Sequence, residues 1–272
     1  MLGAAPAFLL VVARALAVIE TAPLISQESV PQVAKIALAG LLSYAVFPVT
    51  QMPDWEPLLA QAAAAPGTMA NVMFGLRFAL LLIGEAVIGI ITGFFMNLVF
   101  AAFSTAGQFF SLQMGFGAAE TFDPISQQEN PLMGQYLSLV AMLTFIAIGG
   151  LRELFLGGFQ RSIEALSILA LVQGRDHIVT MLLGGLSRLF INAFLLSLPI
   201  LGTLFLTSLT TGLISKAAPT INILSEGFPL SITVAFVLIY ATLPFMIEAF
   251  AAVIDAGFAV LQNWYLATGR QI

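Results

Sequence analysis

The sequence predicts an all-α polytopic membrane protein, with about six to eight helical segments in a single membrane domain covering residues 1–272. Composition is the first observation: 60% of the residues are hydrophobic and only 8% are charged, against about 25% charged in a soluble domain. The second is a set of uncharged runs longer than the roughly 20 residues that cross a hydrocarbon core. The third is the placement of Pro and Gly, which divides these runs into helices with breaks.

The composition also excludes several classes of function. A net charge of −5 gives no basic surface for nucleic acid and no polybasic segment for anionic lipid. There is no Cys and a single His, His177, so thiol chemistry and a multi-His metal site within one chain are excluded. The motifs of zinc metalloproteases, serine hydrolases, P-loop NTPases and dinucleotide-binding enzymes do not occur. We therefore expect neither an enzyme nor a cofactor.

The first two helices are predicted on either side of a proline-bounded break. Leu2–Ile19 is an apolar helix that carries Arg14, and Thr21–Pro31 is the break. Pro31 is predicted to lie near the start of the next helix, where its missing N–H is not needed. The uncharged body of this helix is Ile36–Phe47. The proline-rich stretch Pro48–Gly67 is predicted to be a loop or a shallow helix.

Val72–Phe103 is predicted to be a long apolar helix with two charges near its start, Arg77 and Glu85. Later in the same helix, Gly89 and Gly93 form a G-x-x-x-G pattern. In an apolar helix this spacing lets a second helix approach closely. The alternative is that glycine is simply frequent in membrane helices.

The stretch Ala106–Pro131 is predicted to interrupt the longest apolar run of the chain. The uncharged run Ala86–Ala119 would form a helix of about 50 Å, longer than one crossing needs, and an acidic turn follows it. Irregular backbone at membrane depth must be surrounded by protein or line a cavity. We interpret its Phe, Met and Gly residues as a mobile apolar plug or constriction, the alternative being that they are core. The candidate plug residues are Phe109, Phe110, Gln113, Met114, Gly115, Phe116 and Gly117.

The second half of the chain is predicted to contain further helices and a second interruption. In order, the expected segments are a helix at Leu132–Ile148, a turn at Gly149–Gly158, a short amphipathic helix at Phe159–Leu171, a long apolar helix at Ile178–Leu209, an interruption at Thr210–Pro229 and a final apolar helix at Leu230–Leu261.

Six charged residues lie within or beside apolar segments: Arg14, Arg77, Glu85, Arg188, Glu248 and Asp255. Such charges usually face a protein interior or a water-filled path. They could form ion pairs between packed helices or lie on a part that never meets lipid. Alternatively, Glu85, Glu248 or Asp255 could couple protons to transport, and paired interruptions of apolar segments are typical of transporters. A proton-coupled secondary transporter of a small solute is therefore the second function hypothesis.

Three groups of residues occur in a fixed order along nearly the whole chain. The first is Arg14 followed by Pro23 and Pro31. The second is Glu85, Gly89 and Gly93, then Ala106–Gly107, Gln113–Phe116 and Asp123–Pro124. The third is Gly212–Ile214, Pro219, Asn222–Ile223 and Gly227–Leu230. In order, spacing and membrane context these groups resemble the flagellar export-gate family FliR, whose counterparts in type III secretion injectisomes are called SctT.

The resemblance implies a non-enzymatic subunit of the flagellar type III protein-export gate, located in the bacterial inner membrane at the flagellar basal body. Helical hairpins of this family wind into a cone-like hetero-oligomer with FliP- and FliQ-type subunits, and an FlhB-type export switch protein wraps around the entrance. The exported substrates are unfolded flagellar proteins. Much of the assembly is raised out of the membrane lipid, which would account for broken helices and scattered charges.

The resemblance also implies roles for individual residues. The segment matching Phe109–Gly117 would form an inner plug that faces the channel, and helix packing is expected at Ala106 and Gly107 as well as at the two earlier glycines. Contacts with other subunits are expected at Lys216, Pro219, Asn222, Gly227 and Pro229. The chain departs from the family pattern at three positions that bear on charge-based contacts there: Lys216, Glu226 and Ser231.

Overall fold

The computed structural model describes residues 4–26, 30–49, 68–115, 132–166, 171, 174–217 and 223–269. In chain order its helices are α1 (Ala4–Thr21), α2 (Gln32–Val46), α3 (Thr68–Met114), α4 (Leu132–Ala147), α5 (Gly150–Glu153), a π-helix (Leu154–Gln160), α6 (Arg161–Ala165), α7 (Arg175–Ala217) and α8 (Ile223–Gly269). These described ranges contain no strand, and the predicted all-α fold class is confirmed.

Among the described residues, three helices are long and apolar enough to cross a membrane, judged by length and composition. The spans are Val72–Met114, Arg175–Ala217 and Gly227–Thr268. The pair Leu132–Ala147 and Gly150–Ala165, bent by 75°, would make a fourth. At about 1.5 Å per residue, α3 and α8, each of 47 residues, measure roughly 70 Å along their axes. This is more than twice the roughly 30 Å of a hydrocarbon core.

The predicted start of the first interruption is wrong. Ala106 does not begin a break, because α3 continues through Met114. The helix stops at Gly115, whose φ of +89° is a left-handed conformation that glycine adopts readily and other residues rarely do. Residues 116–131, which complete the predicted interruption, lie outside the described residues.

The predicted second interruption is also too long. Thr210 to Ala217 belong to α7, and Pro229 lies within α8. Only residues 218–222 fall between the two helices, and they lie outside the described part of the chain. Backbone in an apolar environment satisfies its N–H and C=O groups best as a helix, so threonine and glycine did not end these helices.

The predicted turn at Gly149–Gly158 is wrong beyond its first residue. Gly149 has a φ of +76° and separates α4 from α5, but the chain then continues as α-helix, π-helix and α-helix to Ala165. Short π-helical segments arise where a helix accommodates an extra residue, often at a functional position. The amphipathic helix predicted over Phe159–Leu171 is accordingly shorter, because Leu166 is already extended.

The chain divides into two compact units. Unit 1 contains Met1–Leu98, Gly149–Gly185 and Asp255–Ile272, and unit 2 contains Val99–Ile148 and Leu186–Ile254. In unit 1, apolar residues of α1 such as Leu10 and Val18 form a buried core with Ala39 of α2 and Phe159 of the π-helix.

The core of unit 2 contains two pairs of aromatic side chains that connect helices. The ring of Phe100 lies 5.2 Å from that of Phe145 in an edge-on arrangement, and Phe103 lies 4.5 Å from Phe250, measured between ring centroids. Both distances are within the range in which aromatic pairs attract each other. The two pairs connect α3 to α4 and α3 to α8.

Candidate functional site

A buried ion pair connects α1 to α3 within unit 1. Arg14 and Glu85 are 0% and 1% exposed, and the Nε of Arg14 lies 2.5 Å from Oε2 of Glu85. Burying two charges is unfavourable unless they are paired and their remaining hydrogen-bonding groups are satisfied. Both residues were predicted as intramembrane charges, and the structure brings these two together.

Arg14 also satisfies the end of α6. Its Nη1 donates to the carbonyl oxygen of Ser162 and lies 3.4 Å from the hydroxyl of the same residue, and its Nη2 donates to the carbonyl oxygen of Leu166 at 3.0 Å. The carbonyl group of Ser162 also accepts from the backbone N–H of Leu166 at 3.0 Å, and Leu166 lies just beyond the helix. Since α6 ends at Ala165, the guanidinium group adds donors at the C-terminal end of this helix and joins three helices.

Gly89 and Gly93 lie where α1 passes closest to α3. A Cβ atom on Gly89 would lie 2.5 Å from the carbonyl oxygen of Arg14 and 2.7 Å from the Cβ of Ala17. A Cβ on Gly93 would lie 2.8 Å from the carbonyl oxygen of Val18. Neither position has room for a side chain. Glu85 precedes Gly89 by one helical turn, so the close approach and the ion pair share one side of α3.

Two further polar contacts of unit 1 were not predicted from the sequence. The hydroxyl of Tyr265 donates to that of Thr92 at 3.1 Å, and both residues are buried. The side-chain amide of Gln262 donates to Oε1 of Glu153 at 2.7 Å. The absence of a side chain on Gly157 makes room for that carboxylate, because a Cβ there would overlap Oε1 of Glu153.

Lys35 is a third polar contact that sequence reasoning missed. Its ammonium group lies 3.1 Å from Oε2 of Glu20 and donates to the carbonyl oxygen of Ser26 at 3.3 Å. The side chain is nearly buried, and it ties α2 to the end of α1. The signal available in the sequence was a lysine in the first turn of an otherwise uncharged helix.

The predicted plug residues divide into two groups. Phe110 and Met114 are fully buried at the end of α3, whereas Phe109 and Gln113 are half-buried. The side-chain amide of Gln113 lies 3.5 Å from the hydroxyl of Ser208.

A side chain of α8 packs against the residue that ends α3. The ring of Phe228 lies against Gly115 so closely that a Cβ there would overlap it. Phe116 and Gly117, the last two predicted plug residues, lie outside the described residues.

Ala106 and Gly107 lie at a second close approach of helices, within unit 2. Ala106 is fully buried. A Cβ on Gly107 would lie 2.5 Å from the carbonyl oxygen of Met133 and 2.6 Å from the backbone of Gly134. The missing side chain therefore allows α3 and α4 to pack backbone to backbone.

The other predicted charges lie on the surface of the long helices. Arg77, Arg188, Glu248 and Asp255 are all exposed, and none has an ion-pair partner among the described residues. Among the predicted subunit contacts, Lys216 and Pro229 are exposed and Gly227 is half-buried, while Pro219 and Asn222 lie outside the described residues. In the described part of the chain, no group of three or more His, Asp or Glu residues could hold a metal ion.

The sequence model of a protein family described as "Bacterial export proteins, family 1" matches residues 5–257. The chain belongs to this family. The matched segment includes residues of both units, among them Arg14, Glu85 and the glycines of α3 at the two close helix approaches.

Three curated relatives carry the name "Flagellar biosynthetic protein FliR". The relative from Escherichia coli is 31% identical over 242 residues, which cover 85% of this chain and 82% of the relative. The relative from Bacillus subtilis is 27% identical over 236 residues, covering 86% and 85%. The relative from Borreliella burgdorferi is 34% identical over 170 residues, or 62% of this chain, and the match covers 63% of that relative, less than two thirds of its length.

Proposed function

We propose that this chain is a non-enzymatic subunit of the flagellar type III protein-export gate in the bacterial inner membrane. It helps to form and plug the channel through which unfolded flagellar proteins leave the cell. The family match over residues 5–257 and the flagellar name of the relatives support the proposal. The partners in this proposal are FliP- and FliQ-type subunits and an FlhB-type switch protein, as the resemblance of the sequence implies.

The observation that carries the proposal is the length of the exposed apolar surface. On α7, large apolar side chains are exposed from Val179 to Ile214, a distance of about 50 Å along the helix. A hydrocarbon core is about 30 Å thick, and a tilt of 40° would lengthen the covered segment only to about 39 Å. Lipid alone cannot cover the whole length, and this supports a place for the chain among other proteins.

Within this proposal, the plug is built onto the end of α3. Phe110 and Met114 are buried in unit 2 and anchor the segment, while Phe109 and Gln113 are the described residues left to face the channel. An apolar constriction blocks water and ions yet yields to a larger chain.

The two interruptions that favour the secondary-transporter hypothesis are shorter than predicted. Its support was the pair of interruptions at Ala106–Pro131 and Thr210–Pro229, and α3 and α7 run unbroken through the first part of both. One of its three candidate proton carriers, Glu85, is held by Arg14. Exposed Glu248 and Asp255 are the remaining carriers.

The decisive experiment is the mass and composition of the gently solubilised native complex. We expect one copy of this chain together with two further small membrane proteins. A monomer or homodimer without partners would contradict the proposal, and proton-coupled uptake by the purified chain in liposomes, abolished by E248Q and D255N together, would establish the transporter instead.

The plug is tested separately in the assembled gate. Phe109→Ala should leave the complex intact and increase its ion conductance in a planar bilayer, because a half-buried ring is removed from the constriction. Phe110→Ala is the matched control, and it should reduce recovery of the complex because this ring belongs to the core. An unchanged conductance of an intact Phe109→Ala complex would remove Phe109 from the plug.

A further inference from the structure

One side of α7 in unit 2 combines an arginine with apolar side chains and an open glycine. Arg188, Ile191, Leu195, Leu198 and Gly202 recur every three or four residues, so they share one side of the helix, here called the Arg188 face. The three apolar side chains are each about half exposed, and a Cβ on Gly202 would meet nothing within 4 Å. The opposite side of the helix is the packed one: Leu189, Ala193 and Ile200 are buried.

Lipid does not suit the Arg188 face. An arginine near the end of a membrane helix can extend its charge to the headgroups. Arg188, however, lies about 20 Å from Arg175 and about 40 Å from Lys216 along the helix. Exposed apolar side chains lie on both sides of it, from Val179 onward and to Ile214. Lipid covering both stretches would place the guanidinium group in hydrocarbon, which is strongly unfavourable without a partner.

Placing a different part of the helix within the membrane does not let lipid cover the Arg188 face either. If Arg188 lies at the membrane surface, the exposed apolar side chains on one side of it project into water. In either position a protein surface has to cover part of this face. No acceptor for the guanidinium group of Arg188 occurs among the described residues of the chain itself.

The chemistry of the face determines the kind of partner that fits it. A guanidinium group in an apolar setting is best matched by a carboxylate, which can accept two parallel hydrogen bonds from it. The open space at Gly202, about 21 Å further along, allows a second helix to approach the backbone closely. Elsewhere in this chain, the buried guanidinium group of Arg14 is paired with a carboxylate and two backbone carbonyl groups.

We infer that the Arg188 face is a subunit interface that binds an apolar helix of another export-gate subunit, with an aspartate or glutamate of that helix paired to Arg188. The inference rests on the proposed function, because it presumes an assembly of several membrane proteins. It adds the surface and the charged group through which this chain is recognised.

The first test compares charge variants of the full chain, produced together with the other export-gate subunits of the same organism. Arg188→Glu should lower the recovery of the complex by on the order of tenfold or more, because it places two carboxylates together in an apolar contact. Arg188→Lys keeps the charge and should lose much less. Arg175→Glu is the matched control on the same helix, where the side chain is 84% exposed beside Asp176, and it should assemble like the native chain.

The second test locates the partner without altering the arginine. A photoreactive benzophenone amino acid at Ile191 should crosslink to a helix of another export-gate subunit, and mass spectrometry should identify a nearby Asp or Glu. Changing that acidic residue to Lys should restore assembly to the Arg188→Glu chain. Restoration by charge exchange also shows that the Arg188→Glu chain is able to fold.

The outcomes separate the inference from the proposed function. If the native chain assembles and Arg188→Glu assembles equally well, or if the crosslinks reach only lipid or a second copy of this chain, the inference is overturned and the export-gate proposal stands. If the native chain recovers no partner subunit, both fall together.

Discussion

Arg14 and Arg188 are the same residue type on apolar helices, yet the structure gives them opposite surroundings. Arg14 is fully buried, paired with Glu85 and bonded to the carbonyl groups that end α6. Arg188 is exposed among apolar side chains and has no acceptor among the described residues. The comparison teaches that a charge on an apolar helix needs a partner: Arg14 has its partner within the chain, and we infer that the partner of Arg188 lies on another subunit.

The two units also differ in the kind of contact that holds their helices together. Unit 1 contains several hydrogen bonds between distant side chains, whereas the described core of unit 2 is a set of aromatic and apolar contacts. Hydrogen bonds and ion pairs require specific geometry, so they fix which helix meets which and in what register. Apolar contacts tolerate more variation in shape. In unit 1 we therefore expect substitutions that remove the polar contacts to lower the free energy of unfolding most.

The largest effect is expected from removing one member of the buried ion pair. Arg14→Leu leaves the carboxylate of Glu85 buried without its partner and removes the guanidinium donors to the carbonyl groups of Ser162 and Leu166. The free energy of unfolding should fall by about 3–5 kcal/mol, as measured by denaturant titration of the detergent-solubilised chain. The double variant Arg14→Leu with Glu85→Leu should recover part of this loss, because no unpaired charge remains. Equal stability of the native chain and the single variant would show that the Arg14–Glu85 pair does not stabilise the fold.

The next effect tests the close approach of α1 and α3. Gly89→Ala should lower the free energy of unfolding by about 1–3 kcal/mol, because the new Cβ overlaps the backbone of Arg14 and the side chain of Ala17. Gly75→Ala on the same helix is the matched control, with nothing within 4 Å of the new atom. It should instead stabilise the chain by up to about 1 kcal/mol, because alanine has the higher helix propensity. The same sign for both variants would contradict the packing argument.

A smaller effect is expected from a single buried hydrogen bond. Tyr265→Phe removes the donor to Thr92 and should lower the free energy of unfolding by about 1 kcal/mol. Tyr240→Phe, at a position 83% exposed, is the control and should leave stability unchanged. Both are read from the same denaturant titration. If the two variants behaved alike, the buried hydroxyl would have no role in holding α8 against α3 in unit 1.

The smallest effect is expected from an exposed ion pair. Arg175 and Asp176 lie 3.7 Å apart at the start of α7, with 84% and 94% of their side chains exposed. Solvent-exposed pairs of this kind contribute little to stability. Arg175→Gln should therefore give a titration curve that overlaps that of the native chain. A clear shift of the midpoint would remove the contrast with Arg14 on which the comparison depends.

Sequence reasoning located the unusual residues better than it located their partners. It selected Arg14 and Glu85 as charges out of place and Gly89 and Gly93 as a packing surface, because these depend only on a residue and its apolar neighbours. It did not pair Arg14 with Glu85 or find Ser162, since those residues are 71 and 148 positions away along the chain. Tyr265 and Gln262 were missed for the same reason.

The sequence located one helix start correctly and one helix end incorrectly. The sequence placed Pro31 at the start of α2, where it precedes the first helical residue. It placed the first break at Ala106, nine residues before Gly115, because glycine and phenylalanine there suggested irregular backbone. In an apolar environment a backbone hydrogen bond has no competitor from water, so the helix continued to Gly115, which takes a positive φ.

The sequence by itself determined the class of the protein: an all-α membrane chain, rich in apolar helices, with a few charges that need partners. Composition suffices for this, because it reports which solvent each segment tolerates. Only the tertiary structure decided that Arg14 bridges α1, α3 and α6, that Phe110 is core, and that Arg188 is exposed. These outcomes depend on which helices meet, and that follows from the packing of distant surfaces rather than from any local pattern.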